Sequence, residues 1–274
     1  MAPLVYLVSG ANRGLGLGLV KALSARENTV VFAGARNPDG AKDLQALAAQ
    51  RPEKLYIVKL VSGDVQGSEA AISFIRDKAG RLDVVIANAA ICLAYGPAYK
   101  ASEDDLRQHF EVRNGLDTSL FTDAALISVS PEVNVIGTFV LFKAALPLLK
   151  ASSASESAPP KFVAVSSLAG GLERGASGPF EMTPYAISKA AENFLARKLH
   201  FEHEKDGLVV FPICPGLVDT DMANYGAERD EGVRSRKFKT VDDTAALLLK
   251  VIDRATQENE GGQFMSFDGT KIPW

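Results

Sequence analysis

Short runs of β-branched and other apolar residues alternate with amphipathic segments along the whole chain. Buried parallel strands joined by helices give this pattern, because the strands are covered on both faces and the helices on one. The sequence therefore predicts an α/β fold with a doubly wound parallel sheet of about seven strands and helices on both faces. The predicted strands are 4–8, 29–33, 55–60, 82–87, 162–165, 208–213 and 263–266, and the predicted helices are 15–25, 41–50, 69–79, 136–150, 185–205 and 242–255.

Charge and cysteine content narrow the class of function. The 30 Lys and Arg residues nearly balance the 33 Asp and Glu residues, so neither nucleic acid nor an anionic membrane is expected as a partner. The two cysteines, Cys92 and Cys214, are too few for a disulfide framework and lie in no zinc-type motif, which favours a reducing compartment and no metal site. No apolar run reaches the roughly 18 residues of a spanning helix, and no signal-peptide pattern precedes the first strand. We therefore expect a cytoplasmic protein that acts on a small molecule.

A glycine-rich turn follows the first predicted strand and opens the first predicted helix. Glycines allow the backbone to approach a pyrophosphate, and the helix start supplies free N–H groups and a positive dipole end. A tight strand-to-helix turn is the structural alternative, but the place directly after the first strand is where doubly wound sheets bind dinucleotides. We therefore predict a Rossmann-like domain over residues 1–274 whose cofactor turn contains Gly10, Asn12, Arg13, Gly14, Leu15 and Gly16.

The residue after the second strand predicts which dinucleotide binds. An NAD site usually has an acidic residue there to hold the ribose 2′-hydroxyl, whereas this chain has Arg36. A guanidinium binds a 2′-phosphate in bidentate fashion, and Arg13 adds a second positive charge. The prediction is NADP(H). A solvated loop arginine is the alternative, and nearby Asp39 is the residue that would favour NAD.

A tyrosine and a lysine lie four residues apart at the start of a predicted helix, in Tyr185-Ala186-Ile187-Ser188-Lys189. This spacing places both side chains on one helix face. A phenol titrates near 10, so it works as an acid or base only if its anion is stabilised, and the ammonium of Lys189 together with a positively charged oxidised nicotinamide is expected to do this. Ser167 ends a strand, where its hydroxyl would face the crevice and polarise a substrate carbonyl. A simple turn or capping serine is the alternative reading of Ser167.

Together these motifs identify the chain as similar to the short-chain dehydrogenases/reductases over almost its whole length. The resemblance implies that Asn88 and Ala89 support the sheet and the cofactor, and that Asn134 anchors a water relay to Lys189. It also implies that Lys189 holds the cofactor ribose. The loop with Pro215, Gly216, Val218 and Thr220 resembles the segment that packs on nicotinamide. Two departures are Ala90 in place of a glycine, and Val61 in place of an adenine-contacting Asp.

Within that family the resemblance narrows to fungal ketoreductases of the norsolorinic acid ketoreductase type. It implies NADPH-dependent reduction of a ketone, such as a polyketide or aromatic ketone of secondary metabolism, with Tyr185 as the proton donor. Two alternatives stay open. One is an alcohol-oxidising dehydrogenase, which has the same catalytic residues, and the other is an NADP(H)-binding sensor or scaffold without turnover. The resemblance also raises a homo-oligomer, because many relatives associate through the helix that contains the family's Asn.

That helix is interrupted here by residues 113–133, which have no sustained periodicity. Their removal would join Val112 directly to Asn134 in a continuous amphipathic helix. Three interpretations remain: a functional insertion, a degenerate copy that no longer catalyses, and a retained short intron in the gene prediction. The sequence favours the intron, because the segment is in frame and its excision is seamless, whereas functional insertions usually occur at loop tips.

Two more segments and one set of residues complete the predictions. Residues 151–160 are rich in Ser and Pro and predict a mobile surface loop. Residues 221–239 are charged and contain spaced glycines, as a mobile lid would. Apolar residues expected near a substrate pocket are Ile91, Leu93, Tyr95, Leu168, Phe180, Met182, Leu217, Met222 and Tyr225.

Overall fold

The computed structural model describes residues 2–110, 134–153 and 158–274. Seven strands form one parallel sheet in the order β3-β2-β1-β4-β5-β6-β7. This confirms the predicted fold class. The strands are β1 Leu4–Val8, β2 Thr29–Ala35, β3 Leu55–Lys59, β4 Val84–Ala87, β5 Lys161–Val165, β6 Val209–Cys214 and β7 Met265–Ser266.

Helices cover both faces of the sheet. They are α1 Gly14–Ser24, α2 Lys42–Ala49, α3 Val65–Ala79, α4 Glu103–Phe110, α5 Ile136–Ser153, α6 Thr183–His203, α7 Asp221–Ala227, α8 Glu231–Arg234 and α9 Val241–Arg254. Helix α4 lies where the sequence predicted a helix before the interruption at 113–133, whereas α7 and α8 were not among the predicted helices. Within the described ranges, no helix is long and apolar enough to cross a membrane.

The two faces of the sheet carry separate hydrophobic cores. Along β1, Tyr6 and Val8 pack with residues of α1, α2 and α9, while Val5 and Leu7 pack with residues of α3, α5 and α6. All four of these β1 side chains are almost completely buried. Because both faces are covered, neighbouring positions of β1 and β4 are apolar on both sides of the sheet, which explains the continuous apolar runs in the sequence.

One prediction about the surface needs correction. Residues 151–153 belong to helix α5 and not to a loop. The reason is Ser152, which is fully buried and whose hydroxyl donates a hydrogen bond to the carboxylate of Asp83. Asp83 also accepts the backbone N–H of Val5 at 2.7 Å, so the last turn of α5 is fixed to the sheet. Residues 154–157 and the interruption at 113–133 lie outside the described residues.

The strand order places the functional site. β1 lies between β2 and β4, so the connections from β1 and from β4 leave the sheet in opposite directions. In open parallel sheets the crevice at such a switch point, beyond the carboxyl ends of the strands, is where ligands bind. The glycine turn after β1 and the Asn88 segment after β4 both lie at this position.

Candidate active site

A cavity of about 590 Å³ opens at the carboxyl ends of the strands. Its walls come from the loops after β1, β2, β3, β4, β5 and β6, which meet at this edge of the sheet. Most of the predicted site residues line it: Gly10, Asn12, Arg13, Gly14, Leu15, Gly16, Arg36, Asn88, Ala89, Ser167, Tyr185, Pro215, Gly216, Val218 and Thr220. Asn134 and Lys189 do not line it and are buried behind its wall.

The glycine turn is shaped by close contact with the end of β4. Gly10 has a φ of +63°, and a Cβ at this position would lie 2.9 Å from the Cα of Ala89. At Gly16, an added Cβ would collide with the carbonyl oxygen of Gly10. Since no side chain fits at either position, the backbone forms an open cradle at the start of α1. This cradle fits the pyrophosphate of a dinucleotide.

Asn88 and Ser9 join the glycine turn to the β4 loop. The Asn88 side-chain amide donates to the carbonyl oxygens of Ser9 and Gly10 at 3.1 and 3.3 Å. In return, the Ser9 hydroxyl accepts the backbone N–H groups of Asn88 and Ala89 at 3.0 and 3.1 Å. The predicted supporting function of Asn88 therefore has a direct geometric basis, and Ser9 is a partner that was not predicted.

Two arginines line the cavity, Arg13 in the glycine turn and Arg36 in the loop after β2. Arg36 follows β2, is exposed and lines the cavity, whereas Asp39 does not line it. Arg13 also lines the cavity, and its guanidinium forms an ion pair with the carboxylate of Asp221 at 2.9 Å. Both side chains of this pair are largely exposed, so the pair contributes at most about 1 kcal/mol. Its small contribution leaves the Arg13 guanidinium easy to redirect toward a phosphate.

Tyr185 lines the cavity together with the glycine turn and packs with the apolar residues Cys92, Met182 and Val233. Helix α6 begins at Thr183, with Pro184 in its first turn, and this start places the phenol of Tyr185 in the cavity wall. The Ser167 hydroxyl forms a hydrogen bond with the phenol, which lowers the pKa of Tyr185. Ser167 also accepts the N–H of Ala169 at 3.2 Å. The same hydroxyl therefore both contacts the phenol and caps the turn after β5.

The lowering of the Tyr185 pKa by Lys189 and an oxidised nicotinamide stays a prediction, whereas the protein's own surroundings raise this pKa. Burial raises the pKa of the phenol well above its ordinary value, and the nearby carboxylate of Glu192 raises it further. The physical reason is that a phenolate in this dry position loses its hydration, while the ammonium of Lys189 already has an anionic neighbour.

Lys189 extends away from the cavity. Its Nζ donates to the carbonyl oxygen of Val165 at 2.9 Å and to Oε2 of Glu192 at 2.6 Å. The side chains of Lys189 and Glu192 are each 1% exposed, which makes this a fully buried ion pair. The Nζ also lies 5.8 Å from the ring centroid of Tyr185. In this arrangement the Lys189 ammonium is bound to Val165 and Glu192 and does not line the cavity, so it does not reach the place where a cofactor ribose was predicted to contact it.

Asn134 is completely buried two residues before α5. Its side chain binds both backbone groups of Ile91, accepting the N–H at 2.9 Å and donating to the C=O at 3.0 Å. Its amide also donates to Ser188 Oγ at 2.9 Å, and this hydroxyl donates to the carbonyl oxygen of Tyr185 at 2.7 Å. Asn134 thus connects the β4 loop to the helix that carries Tyr185, and the water relay to Lys189 that the resemblance implied stays a prediction.

The loop after β6 closes the opposite wall. Gly216 has a φ of +72° and lies against the ring of Phe267. Thr220 is the N-cap of α7, and its hydroxyl accepts the N–H of Ala223 at 3.3 Å. Cys214 is buried and accepts the N–H of Leu168 at 3.1 Å, so it acts as a small packed residue between two loops.

The apolar end of the cavity matches the predicted set in part. Cavity-lining members of that set are Ile91, Tyr95, Met182, Leu217 and Met222, whereas Leu93, Leu168, Phe180 and Tyr225 do not line it. Tyr225 instead packs on Tyr95, with ring centroids 5.9 Å apart. Cys92 and Val233 line the cavity and were not predicted. Residues of α7 and α8, within the segment 221–239, supply part of this wall, and the lid motion predicted for that segment stays a prediction.

Sequence reasoning missed two buried polar residues behind the site. Glu192 is fully buried on α6, and Thr138 is 4% exposed on α5. A signal was available for Glu192, because it follows Tyr185 by seven residues and Lys189 by three and therefore lies on their helix face. No sequence signal pointed to Thr138, since only the packing of α5 against α6 brings it to this place.

Comparison with known proteins agrees with this geometry. The short chain dehydrogenase family model matches residues 4–231. An uncharacterised oxidoreductase of Schizosaccharomyces pombe is 32% identical, with 98% of each chain covered. A norsolorinic acid ketoreductase of Aspergillus parasiticus is 34% identical, over 98% of this chain and 91% of the relative. Among solved structures, the NADPH-bound carbonyl reductase from chicken fatty liver superposes with a TM-score of 0.79, with 28% identity and 100% coverage of both chains.

The chain belongs to the short-chain dehydrogenase family. It is an oxidoreductase that acts on a C=O or CH–OH group, and its Rossmann-like fold binds a nicotinamide cofactor.

Proposed function

We propose that the protein is an NADPH-dependent ketoreductase that transfers hydride to an aromatic or polyketide ketone. The observation that carries the proposal is that Tyr185 and the glycine cradle line one cavity, and that Tyr185 packs with Cys92, Met182 and Val233, apolar residues that line the same cavity. A ketone in the apolar end would have its carbonyl at this phenol. The bound nicotinamide would supply the hydride.

The residues of this chain divide the remaining work. Ser167, which already bonds the phenol, would hold the carbonyl oxygen against Tyr185. Tyr185 would donate its proton to that oxygen as the charge on it develops, and its high pKa keeps the proton available at neutral pH. Lys189 would stabilise the phenolate that remains, from its buried place behind the ring. Asn134 would fix the β4 loop and α6 relative to each other.

Three observations support NADP(H) over NAD(H). Arg36 lines the cavity where the 2′ substituent of the adenosine ribose is expected, and Asp39 does not line it. Arg13 lies in the same region and is held only by an exposed ion pair. The chicken carbonyl reductase, a solved relative, was obtained with NADPH bound.

The substrate class and cellular setting follow from the same reasoning. Tyr95, Met182, Leu217 and Met222 offer an apolar surface suited to a flat aromatic ketone, and the likeness to a norsolorinic acid ketoreductase supports a polyketide in secondary metabolism. The proposal places the enzyme in the cytoplasm with a small-molecule carbonyl substrate and without nucleic acid or membrane partners. A homo-oligomer is part of the proposal through the family resemblance.

The test is NADPH oxidation with a panel of aromatic and aliphatic ketones. Replacing Tyr185→Phe should lower kcat by about 10²- to 10⁴-fold, the usual contribution of a general acid, while NADPH binding is retained. Tyr56→Phe is the matched control, because Tyr56 lies on β3 away from the cavity. Equal turnover of wild type and Tyr185→Phe would refute the proposal. Tight NADPH binding by the wild type without turnover of any ketone would favour the scaffold alternative.

A further inference from the structure

A carboxylate is buried directly behind the Tyr185–Lys189 pair. Glu192 lies one helical turn beyond Lys189 on α6, and its Oε2 is 2.6 Å from the Lys189 Nζ. Its other oxygen, Oε1, accepts a hydrogen bond from Thr138 of α5 at 2.7 Å. Glu192 is fully buried and does not line the cavity, so it touches neither a substrate nor a cofactor placed there.

The hydrogen bonds continue from this carboxylate toward Asn134. The Thr138 hydroxyl lies 2.7 Å from Glu192 Oε1 and 3.0 Å from the carbonyl oxygen of Asn134. A hydroxyl has a single proton, so an ionised Glu192 takes that proton and a protonated Glu192 releases it to the Asn134 carbonyl. Lys189, Glu192, Thr138 and Asn134 therefore form a continuous chain of polar contacts from α6 to α5.

We propose that Glu192 is a positioning residue that acts through Lys189. Its carboxylate fixes the ammonium behind Tyr185 and offsets the positive charge that would otherwise favour the phenolate, so that Tyr185 stays protonated to higher pH. The inference rests on the proposed function, in which Tyr185 is the proton donor.

The charge balance around the phenol supports this assignment. The groups that face Tyr185 are Lys189 and Glu192 from its own helix, Cys92 from the loop after β4, and Cys214 from the end of β6. Burial raises the pKa of Cys92 to about 12 and raises that of Cys214, so both thiols are neutral at physiological pH. Tyr95 has a raised pKa for the same reason and is neutral as well. The ionised neighbours of the phenol are then the lysine and the glutamate.

The pKa of Glu192 is raised, because burial raises it by more than Lys189 and Thr138 lower it. The short contact with Lys189 and the hydroxyl of Thr138 favour the ionised carboxylate, and we take the pair as charged. Asp230 contributes negative charge at Cys92 and Tyr95 from the segment before α8.

Glu192→Gln removes the negative charge and nearly keeps the volume. Loss of a neighbouring anion lowers the pKa of a phenol, and one charge at this range shifts it by about one pH unit. The tyrosinate absorbance of wild type minus that of Tyr185→Phe gives the titration midpoint of Tyr185 in the full chain, with and without saturating NADP⁺. The midpoint should fall by about one pH unit in Glu192→Gln, measured against Glu192→Gln/Tyr185→Phe.

The same change should appear in turnover. Ketone reduction needs the protonated phenol and falls at high pH, whereas alcohol oxidation needs the phenolate and rises with pH. Both limbs should move to lower pH by the same amount in Glu192→Gln, because one tyrosine sets both.

Three further variants separate charge from packing. Thr138→Val removes a hydrogen bond of Glu192 without removing its charge, and Glu192→Asp retains the carboxylate, so both should keep the Tyr185 midpoint near that of wild type. Glu192→Ser leaves room for water beside Lys189 and serves as a second neutral variant if the Gln variant does not fold. An unchanged midpoint in the neutral variants would overturn the inference, as would an equal downward shift in Thr138→Val. The titration needs no turnover, so an inactive wild type would refute the proposed function and still decide this inference.

Discussion

At the residue scale, Tyr185 and Lys189 share one face of α6, but their side chains contact different groups. The phenol reaches the cavity wall, and the ammonium reaches the carbonyl end of β5 and the carboxylate of Glu192. Such a buried pair is costly to break, because removing one partner leaves an unpaired charge and typically costs about 3–5 kcal/mol. The lysine is therefore held in place before any ligand binds.

The cofactor preference is also decided by single side chains. Arg36→Asp replaces the cation at the dinucleotide end of the cavity by an anion, which would repel a 2′-phosphate and accept a 2′-hydroxyl. A charge-assisted hydrogen bond contributes about 1.5–3 kcal/mol, so the Kd for NADPH should rise by about 10- to 100-fold while NADH binding improves. Fluorescence titration with both cofactors measures the change.

Asp39→Asn is the matched control for that variant. Asp39 lies three residues further along the same loop and does not line the cavity, so its neutralisation should leave the NADPH Kd close to that of wild type. If Arg36→Asp left the ratio of the two Kd values unchanged, the NADP(H) assignment would be wrong.

At the element scale, the long periodic segments could be predicted and the short helices could not. The predicted bounds of β1 agree fully with the structure, and those of α1 and α9 differ by one residue at each end. Helices α7 and α8 have seven and four residues, which is too short for a clear period. The start of each helix is instead fixed by a side-chain N-cap, Thr220 for α7 and Asp230 for α8.

Asp230 also connects two elements of the cavity wall. It is 2% exposed, and its two carboxylate oxygens accept the N–H groups of Gly232 at 2.8 Å and Glu181 at 2.7 Å. The first bond caps α8, and the second fixes this segment to the residues before α6. The segment over the apolar end and the start of the Tyr185 helix are thus held by one buried carboxylate.

Asp230→Ala should therefore destabilise the protein and weaken ketone binding. Loss of two hydrogen bonds to a buried charge should cost roughly 3 kcal/mol and lower Tm by about 6–12 °C. The KM for the ketone should rise, because the wall formed by α7 and α8 is no longer fixed. Thermal unfolding followed by circular dichroism and steady-state kinetics measure the two effects.

The neighbouring residue provides the control. Glu231 is ion-paired with Arg234 on the surface, with side chains 73% and 59% exposed, so Glu231→Gln should change stability by less than about 0.5 kcal/mol. Equal Tm values for Asp230→Ala and Glu231→Gln would show that the buried carboxylate does not hold the segment.

At the scale of the whole molecule, the sheet order brings distant segments to one edge. The glycine turn after β1, Ser167 after β5 and the Gly216 loop after β6 come from far apart in the chain and line the same cavity. Each motif was predicted individually from its residues. Their convergence follows from parallel strands whose carboxyl ends share one edge.

The interruption at 113–133 is also a question of the whole molecule. α4 ends at Phe110, and α5 begins at Ile136, two residues after the buried Asn134. If the segment is a retained intron, a variant without residues 113–133 should fold with a Tm at least equal to that of the full chain and keep Tyr185-dependent ketone reduction. Thermal unfolding and NADPH oxidation of both chains, together with sequencing of the transcript, test this. A transcript that contains the codons for residues 116–131, or a deletion variant that does not fold, would exclude the intron interpretation.

The sequence by itself determined the strand and helix periods, the glycine cradle and the shared face of Tyr185 and Lys189, because each depends on residues close together in the chain. Only the tertiary structure decided what surrounds these residues. Burial raised the pKa of Tyr185. Packing of α5 on α6 brought Thr138 to Glu192 and buried the ion pair between Glu192 and Lys189. Electrostatic effects depend on distance and hydration in space, and neither is contained in the order of residues along the chain.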